Sequence, residues 1–325
     1  MSLFAIVGGD TLLGRELREV LSDSKPAPQL QLISAITVEG SAVLDVAEDE
    51  PVVMVPLTGE SLAGAVVTFL AASPASSRRT LKLQPRSAII DLTAALEDRP
   101  EARLRAPSAE SSKPEGPVHV QVIAHPAAIA IAMLMTKAAQ VAPLRSALVH
   151  VFEPASERGK AGLEELQQQT VAVLAFKKLK TEVFDTQLGF SMLARYGEEA
   201  VEPLEGVEQR IGRHLASILA SWPSIPMPSL RLIQAPVFHG HSFSLWLEFA
   251  ENPGADQLAA GLEKAGIDVR REDPPSNAGI AGQGGVTVGA ITEDPNHPRA
   301  LWVWMVSDNL RVSVENGVAV AREML

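Results

Sequence analysis

A chain of 325 residues with 46% hydrophobic content is long enough for two folded domains, each burying its own core. A formal charge of −11 argues against a nucleic-acid partner, which needs clustered Lys and Arg, and describes a well-solvated surface instead. The complete lack of cysteine excludes disulfides, thiolate metal sites and cysteine nucleophiles together.

The first predicted element is a short buried strand, Leu3–Val7, with no basic leader or cleavage site ahead of it; this predicts a cytoplasmic protein. A glycine-rich turn follows, Gly8-Gly9-Asp10-Thr11-Leu12-Leu13-Gly14, opening a helix with Leu13, Leu17, Val20 and Leu21 on one face. Strands are predicted next at Leu30–Ile36, Val52–Pro56, Val66–Phe69, Ala88–Asp91 and Val118–Ile123. Several end in polar or turn residues, as in a parallel sheet whose carboxyl edge faces a ligand. Ala106–Pro117 reads as a polar loop. A helix of small and apolar residues then runs from Pro126 to about Val141; its longest apolar stretch, Ala127 to Met135, is far short of the ~18 residues of a membrane span.

Beyond that helix the texture changes. Alternating strands are predicted at Ala147–Phe152, Leu230–Phe238, Phe243–Phe249, Val286–Ile291 and Ala300–Val306, with a short strand at Ile267–Arg270. Amphipathic helices lie between them. One is lined by Leu163, Leu166, Thr170, Val173 and Leu174, a second by Val207, Ile211, Leu215 and Ile218, and a third covers Asp256–Gly266. Asp273–Gly285 is predicted to be a mobile loop, and a last helix starts near Asn309. The fold class is α/β: a Rossmann-type parallel-sheet domain (residues 1–126 and 307–325) and an α+β domain (127–306), with the C-terminal helix returning to the first.

Three segments could carry chemistry. The turn at Gly8, Gly9 and Gly14 suits a pyrophosphate held by backbone N–H groups at a helix N-terminus, but Thr11 stands where a glycine would let the backbone approach the phosphate. A tight turn that holds nothing is the competing reading. The second segment, Gln234 to Ser242, carries His239 and His241 with one residue between them, and a shared metal is not expected there. His241 could serve as a general base only with a substrate proton in reach. The third, Trp302 to Arg311, reads as a buried strand followed by a turn in which Ser307 or Asp308 caps the final helix.

In their order along the chain, these segments resemble the aspartate-semialdehyde dehydrogenase family. The resemblance runs through Val7 to Glu16, Ala124-His125-Pro126-Ala127-Ala128, Phe184 to Phe190, Pro236 to Ser242 and Trp302 to Arg311. It implies a Rossmann domain that binds NADP through Gly8, Gly9, Asp10, Thr11, Leu12, Leu13 and Gly14, with Asn316 as a further cofactor contact. It also implies a second domain that catalyses and dimerises. The reaction implied is the reversible, NADP-dependent conversion of aspartyl phosphate to its semialdehyde through a thioester, using a cysteine nucleophile, a histidine and a substrate-binding arginine.

This sequence departs from the pattern at each of those positions except the histidine, which is His241. The nucleophile position is Ala128, and a methyl group cannot form a thioester. The substrate arginine falls on Gln234, losing the bidentate ion pair with a carboxylate. A phosphate-binding arginine falls on Glu97, whose carboxylate would repel phosphate. The loop that often carries the NADP-selecting Arg and Ser reads Ile36-Thr37-Val38-Glu39, leaving NADP against NAD open. The expectation is a non-catalytic homodimer that binds a small-molecule ligand or a protein partner, with Ala147–Phe152 and Phe243–Phe249 in or beneath the dimer interface. The alternative is an NAD(P)-dependent oxidoreductase acting on an aldehyde or oxo group without a covalent intermediate, with His241 as acid–base. A third possibility is a serine nucleophile at Ser156, Ser191 or Ser242, although no nucleophile elbow surrounds any of them.

Overall fold

The computed structural model describes residues 2–34, 43–47, 50–113, 116 and 118–324, with backbone only for 43–47 and 50–52. The chain forms two compact units, Met1–Ala124 with Ser313–Leu325, and His125–Val312.

The first unit is built on a six-stranded parallel sheet. In chain order its strands are β1 (Leu3–Val7), β2 (Gln29–Ile33), β5 (Val67–Leu70), β6 (Ala88–Asp91), β7 (Ala102–Arg105) and β8 (Val120–Ile123), arranged β2-β1-β5-β6-β8-β7. Its central strands are buried along nearly their whole length, because a parallel sheet is covered on both faces. Helix α1 (Leu12–Ser22) follows the glycine turn, and α2 (Pro74–Lys82) follows β5. The turn is glycine by necessity. Gly8 has φ +98°, and a Cβ there would lie 2.6 Å from that of Ala72; a Cβ on Gly14 would collide with the Gly8 carbonyl.

Two expectations for this unit need correction. The apolar run at Val52–Pro56 only partly joins the parallel sheet. Its first half belongs to β4 (Glu50–Met54), which pairs antiparallel with β3 (Val43–Ala47) as a hairpin, while Val55 makes a single parallel bridge to Ile33 at the end of β2. An apolar run alone does not say which sheet a strand joins. Strand β2 ends at Ile33, and the cofactor-selecting segment Ile36–Glu39 lies outside the described residues. Three elements, β3, β7 and α2, had no expectation. Strand β7 reads Ala-Arg-Leu-Arg and sits at the sheet edge, where charge is tolerated. Helix α2 opens with a capping box between Ser73 and Ser76 and a proline in its first turn.

The second unit carries a mixed six-stranded sheet. Its strands are β9 (Leu144–Glu153), β10 (Ser229–Gln234), β11 (His241–Phe249), β12 (Asp268–Arg270), β13 (Thr287–Glu293) and β14 (Ala300–Ser307), arranged β10-β9-β11-β14-β13-β12. Helices α3 (Pro126–Val141), α4 (Gly159–Leu174), α5 (Leu204–Leu219) and α6 (Ala255–Lys264) complete it, and α7 (Asn309–Glu323) starts in this unit and ends in the first. Ala147, Val149, Val151, Phe243, Leu245, Leu247, Val303 and Met305 alternate onto one face and are buried. The α5 stripe Val207, Ile211, Leu215 and Ile218 is buried as its periodicity predicts.

Helix α4 differs from its predicted stripe. Leu174 is 69% exposed, while Glu165 and Gln169 are buried beside Leu166. The cause is backbone accounting in the loop that follows. Glu165 accepts from the Val183 and Phe184 N–H groups at 2.6 and 3.2 Å. Gln169 accepts from Leu188 and Gly189 N–H and donates to the Lys180 and Thr186 carbonyls. Buried loop backbone needs partners, and two polar side chains on the helix supply them. Among the described residues no helix is long and apolar enough to cross a membrane.

Candidate functional site

Strand register in the second unit lines up four polar side chains. Gln234 on β10 pairs with Glu153 on β9, and His241 on β11 pairs with Ser307 on β14. The β9–β11 ladder reaches Phe152 and Ser242, so Glu153 and His241 stand one step further along it. Residues directly opposite one another share a face. Gln234, Glu153, His241 and Ser307 therefore form one row at the sheet edge, all almost fully buried.

Helix α3 ends against this row. His125 is its N-cap, with Nδ1 accepting from the Ala127 N–H at 3.2 Å, and its backbone N–H donates to His214 Nδ1 at 2.8 Å. The His125 and His241 rings lie 5.8 Å apart. Burial and the neighbouring histidines hold His125 well below the usual imidazole range. Burial, with the Arg158 charge, pushes His241 down to about 3. Both rings are neutral at pH 7. Ala128 sits in the first turn of α3 with no exposed surface.

The segment after β9 fills the remaining space. A short 3₁₀ turn, Ala155–Arg158, is bonded to the β10–β11 connection through Ala155 N–H to Val237 O and Ser156 N–H to Phe238 O. The Asn309 amide donates to Glu157 Oε1 at 2.7 Å, and its carbonyl oxygen accepts from the Gly240 N–H at 3.1 Å. Arg158 turns inward: its Nη2 donates to Glu153 Oε1 at 2.8 Å, and its guanidinium carbon stands 5.6 Å from the Tyr196 ring centre. A second carboxylate, Glu202, approaches Arg158 at 3.6 Å and Arg210 at 2.8 Å. Burial pushes the Glu153 carboxyl up to about 8 against the pull of Arg158. Five buried atoms in this cluster, Glu153 Oε2, Arg158 Nε, both His241 ring nitrogens and Ser307 Oγ, have no hydrogen-bond partner among the described residues.

Of the residues singled out from sequence, Ala128, His241 and Gln234 lie in this unit. His239 does not share a strand with His241: the β11 ladder begins at His241, and His239 stands in the preceding turn. Gln234 is saturated internally, its amide donating to the carbonyls of Glu153 and Ala235 while its oxygen accepts from Tyr196 Oη at 2.5 Å. Ser156 and Ser242 bond to Asn309 and Asn277, neither of which is a base. Glu153, Glu157, Arg158 and Tyr196 were not expected. Their trace in the sequence is Phe152-Glu153-Pro154-Ala155-Ser156-Glu157-Arg158, a charged turn directly after an apolar strand.

The other singled-out positions lie in the first unit. Thr11 is the N-cap of α1: Oγ1 accepts from the Gly14 N–H at 3.0 Å and lies within donating distance of the Gly8 and Ala71 carbonyls. Asp10 brings a carboxylate into the same turn. Asn316 is buried, and its Oδ1 accepts from the Ser108 N–H and hydroxyl at 3.0 and 2.9 Å. Glu97 follows a turn organised by the buried Asp91 carboxylate, which accepts from Thr93 and Leu96 N–H. Among the described residues no group of three or more His, Asp or Glu is placed to hold a metal.

A Rossmann-like parallel sheet in one unit and a mixed sheet in the other define a two-unit α/β fold. Residues 137–312, more than half of the chain, match the semialdehyde dehydrogenase dimerisation domain, and the chain belongs to that family. It is 26% identical to an aspartate-semialdehyde dehydrogenase of Rickettsia bellii over 63% of this chain and 62% of that one. A USG-1 protein homolog of Azotobacter vinelandii is 28% identical over 99% of this chain and 97% of its own. Among solved structures, aspartate semialdehyde dehydrogenase II of Vibrio cholerae, complexed with ASA, superposes with a TM-score of 0.84 at 21% identity, covering 100% of this chain and 98% of that one.

Proposed function

We propose that this protein is a non-catalytic, homodimeric member of the semialdehyde dehydrogenase family that acts by binding. The observation that carries the reading is the closure of the site around Ala128. The nucleophile position bears a methyl group, the substrate-arginine position bears a Gln234 whose amide hydrogens and oxygen are engaged within the chain, and the buried arginine that is present, Arg158, is already held by Glu153 and Glu202. The glycine turn supports the same reading. Thr11 satisfies the Gly14 N–H from within the chain, and the Asp10 carboxylate opposes a pyrophosphate.

The dimer would use the face of the mixed sheet turned away from the buried core residues. Leu148, His150, Phe152, Trp246, Trp302 and Trp304 are only partly buried there, and they fall within or beside the two segments expected at the interface. Sedimentation velocity at micromolar concentration is expected to give a dimer, and a monomer alone would count against this surface.

The alternative, an NAD(P)-dependent oxidoreductase with His241 as acid–base, draws on the two unpartnered His241 nitrogens. Parallel calorimetric titrations with NADP and NAD separate the two readings. The non-catalytic reading expects no saturable heat with either dinucleotide; micromolar binding of one of them would favour the oxidoreductase.

A further inference from the structure

The first unit holds a cavity of about 200 Å³ at the amino-terminal edge of its parallel sheet, away from the glycine turn. Phe4 from β1, Leu21 from α1, Pro26 and Pro28 from the α1–β2 connection and Val318 from α7 give it apolar walls. The charged residues lining it are Lys25 and Arg322. Neither makes an ion pair among the described residues, and no carboxylate lines the cavity. In a chain with 39 acidic and 28 basic residues, an apolar hollow edged by unpaired cations alone runs against the composition.

We propose that this cavity binds a small organic anion with an apolar body, such as an aromatic or branched-chain carboxylate. The apolar body displaces water from the hollow, while the head group pairs with Lys25 and Arg322. A concave, mainly apolar site with a few converging polar groups is the general form of a small-molecule site. The volume lies below the roughly 300–1,000 Å³ range of such sites, which limits the occupant to about one ring with its head group. Arg322 also lies in the last turn of α7, where a cation complements the helix dipole. That role stabilises helices but does not call for a hollow with apolar walls, and the two roles predict different results.

The test uses the full chain, with benzoate as the probe and benzamide as its neutral counterpart, followed by ligand-observed NMR. Benzoate is expected to saturate one site per chain with a dissociation constant of about a millimolar, the range a fragment of this size reaches. Benzamide is expected to bind at least about 10-fold more weakly, matching a loss of roughly 1.4 kcal/mol. Lys25→Gln and Arg322→Gln are exposed substitutions and should leave the circular dichroism spectrum unchanged. Each should weaken benzoate, and together they should weaken it by about 10-fold or more. The comparison of benzoate with benzamide on the unmodified protein needs no variant and stands even if one misfolds. Absence of saturable benzoate binding, equal binding of benzamide, or benzoate binding unmoved by both substitutions would overturn the site and leave helix-end complementation as the role of Arg322.

Discussion

Replacing Arg158 by leucine is expected to destabilise the second unit by about 1.5–3 kcal/mol at pH 9, the usual worth of a hydrogen bond to a charged group. The side chain of Arg158 is 13% exposed, and that of Glu153 is fully buried. At pH 9 the Glu153 carboxyl, pushed up to about 8, is largely ionised, and Arg158→Leu removes its 2.8 Å partner, so the buried carboxyl must take up a proton from a basic solvent. At pH 6 Glu153 can stay protonated, so the same substitution should cost less. Glu153→Gln in the Arg158→Leu background should recover most of the loss at pH 9, because the amide carries no charge to strand. All four tryptophans, Trp222, Trp246, Trp302 and Trp304, lie in the second unit, so denaturation followed by tryptophan emission reports on that unit alone. Equal stability of parent and Arg158→Leu at both pH values would show that the pair contributes nothing.

The second large effect is the pH dependence of the parent protein. Glu153 has a folded-state value near 8 against an ordinary carboxylate value of 4.5, so the folded protein binds its proton more tightly than the unfolded chain. Its contribution to stability is fully present below about 4.5 and declines as pH rises through about 8, a swing of a few kcal/mol. His241 acts in the opposite direction on the acid side. Its value near 3, against 6.5 for an unperturbed imidazole, means the unfolded chain takes up the proton first, so stability falls as pH drops from about 6.5 towards 3. Together they place the maximum on the acid side of neutrality. Glu153→Gln should flatten the alkaline limb and leave the acid limb in place; a parent profile flat between pH 5 and 9 would contradict the buried, raised carboxyl.

Much of the fold was legible because periodicity records burial directly. The stripe of α5 carries a 3.6-residue period that only a helix satisfies, while the strand at Ala88–Asp91 and the helix from Pro126 to Val141 are apolar runs told apart by their length and their flanking residues. Helix α2 was missed because its residues, Pro-Ala-Ser-Ser-Arg-Arg-Thr-Leu-Lys, have no apolar stripe; its signals lie in the cap. The stripe of α4 was misplaced because pattern reading puts Leu inside and Glu and Gln outside. Here a loop without secondary structure needed hydrogen-bond partners, and Glu165 and Gln169 went inside to provide them. The candidate site was legible at Ala128, Gln234 and His241 as departures from a family pattern. Glu153 and Arg158 were not, since a charged turn in a sequence reads as a solvated surface. Their burial follows only from the strand register that carries Glu153 to the side of His241.

The central claim is that the site around Ala128 performs no thioester chemistry. The most direct measurement is a steady-state assay of the purified protein with aspartate semialdehyde, phosphate and NADP, following reduced nicotinamide by its absorbance, with NAD in a parallel series. The account predicts a rate indistinguishable from that without protein in both series. Saturable, phosphate-dependent nicotinamide reduction that scales with protein concentration would contradict it, and would mean that a group other than a cysteine thiolate carries the acyl intermediate.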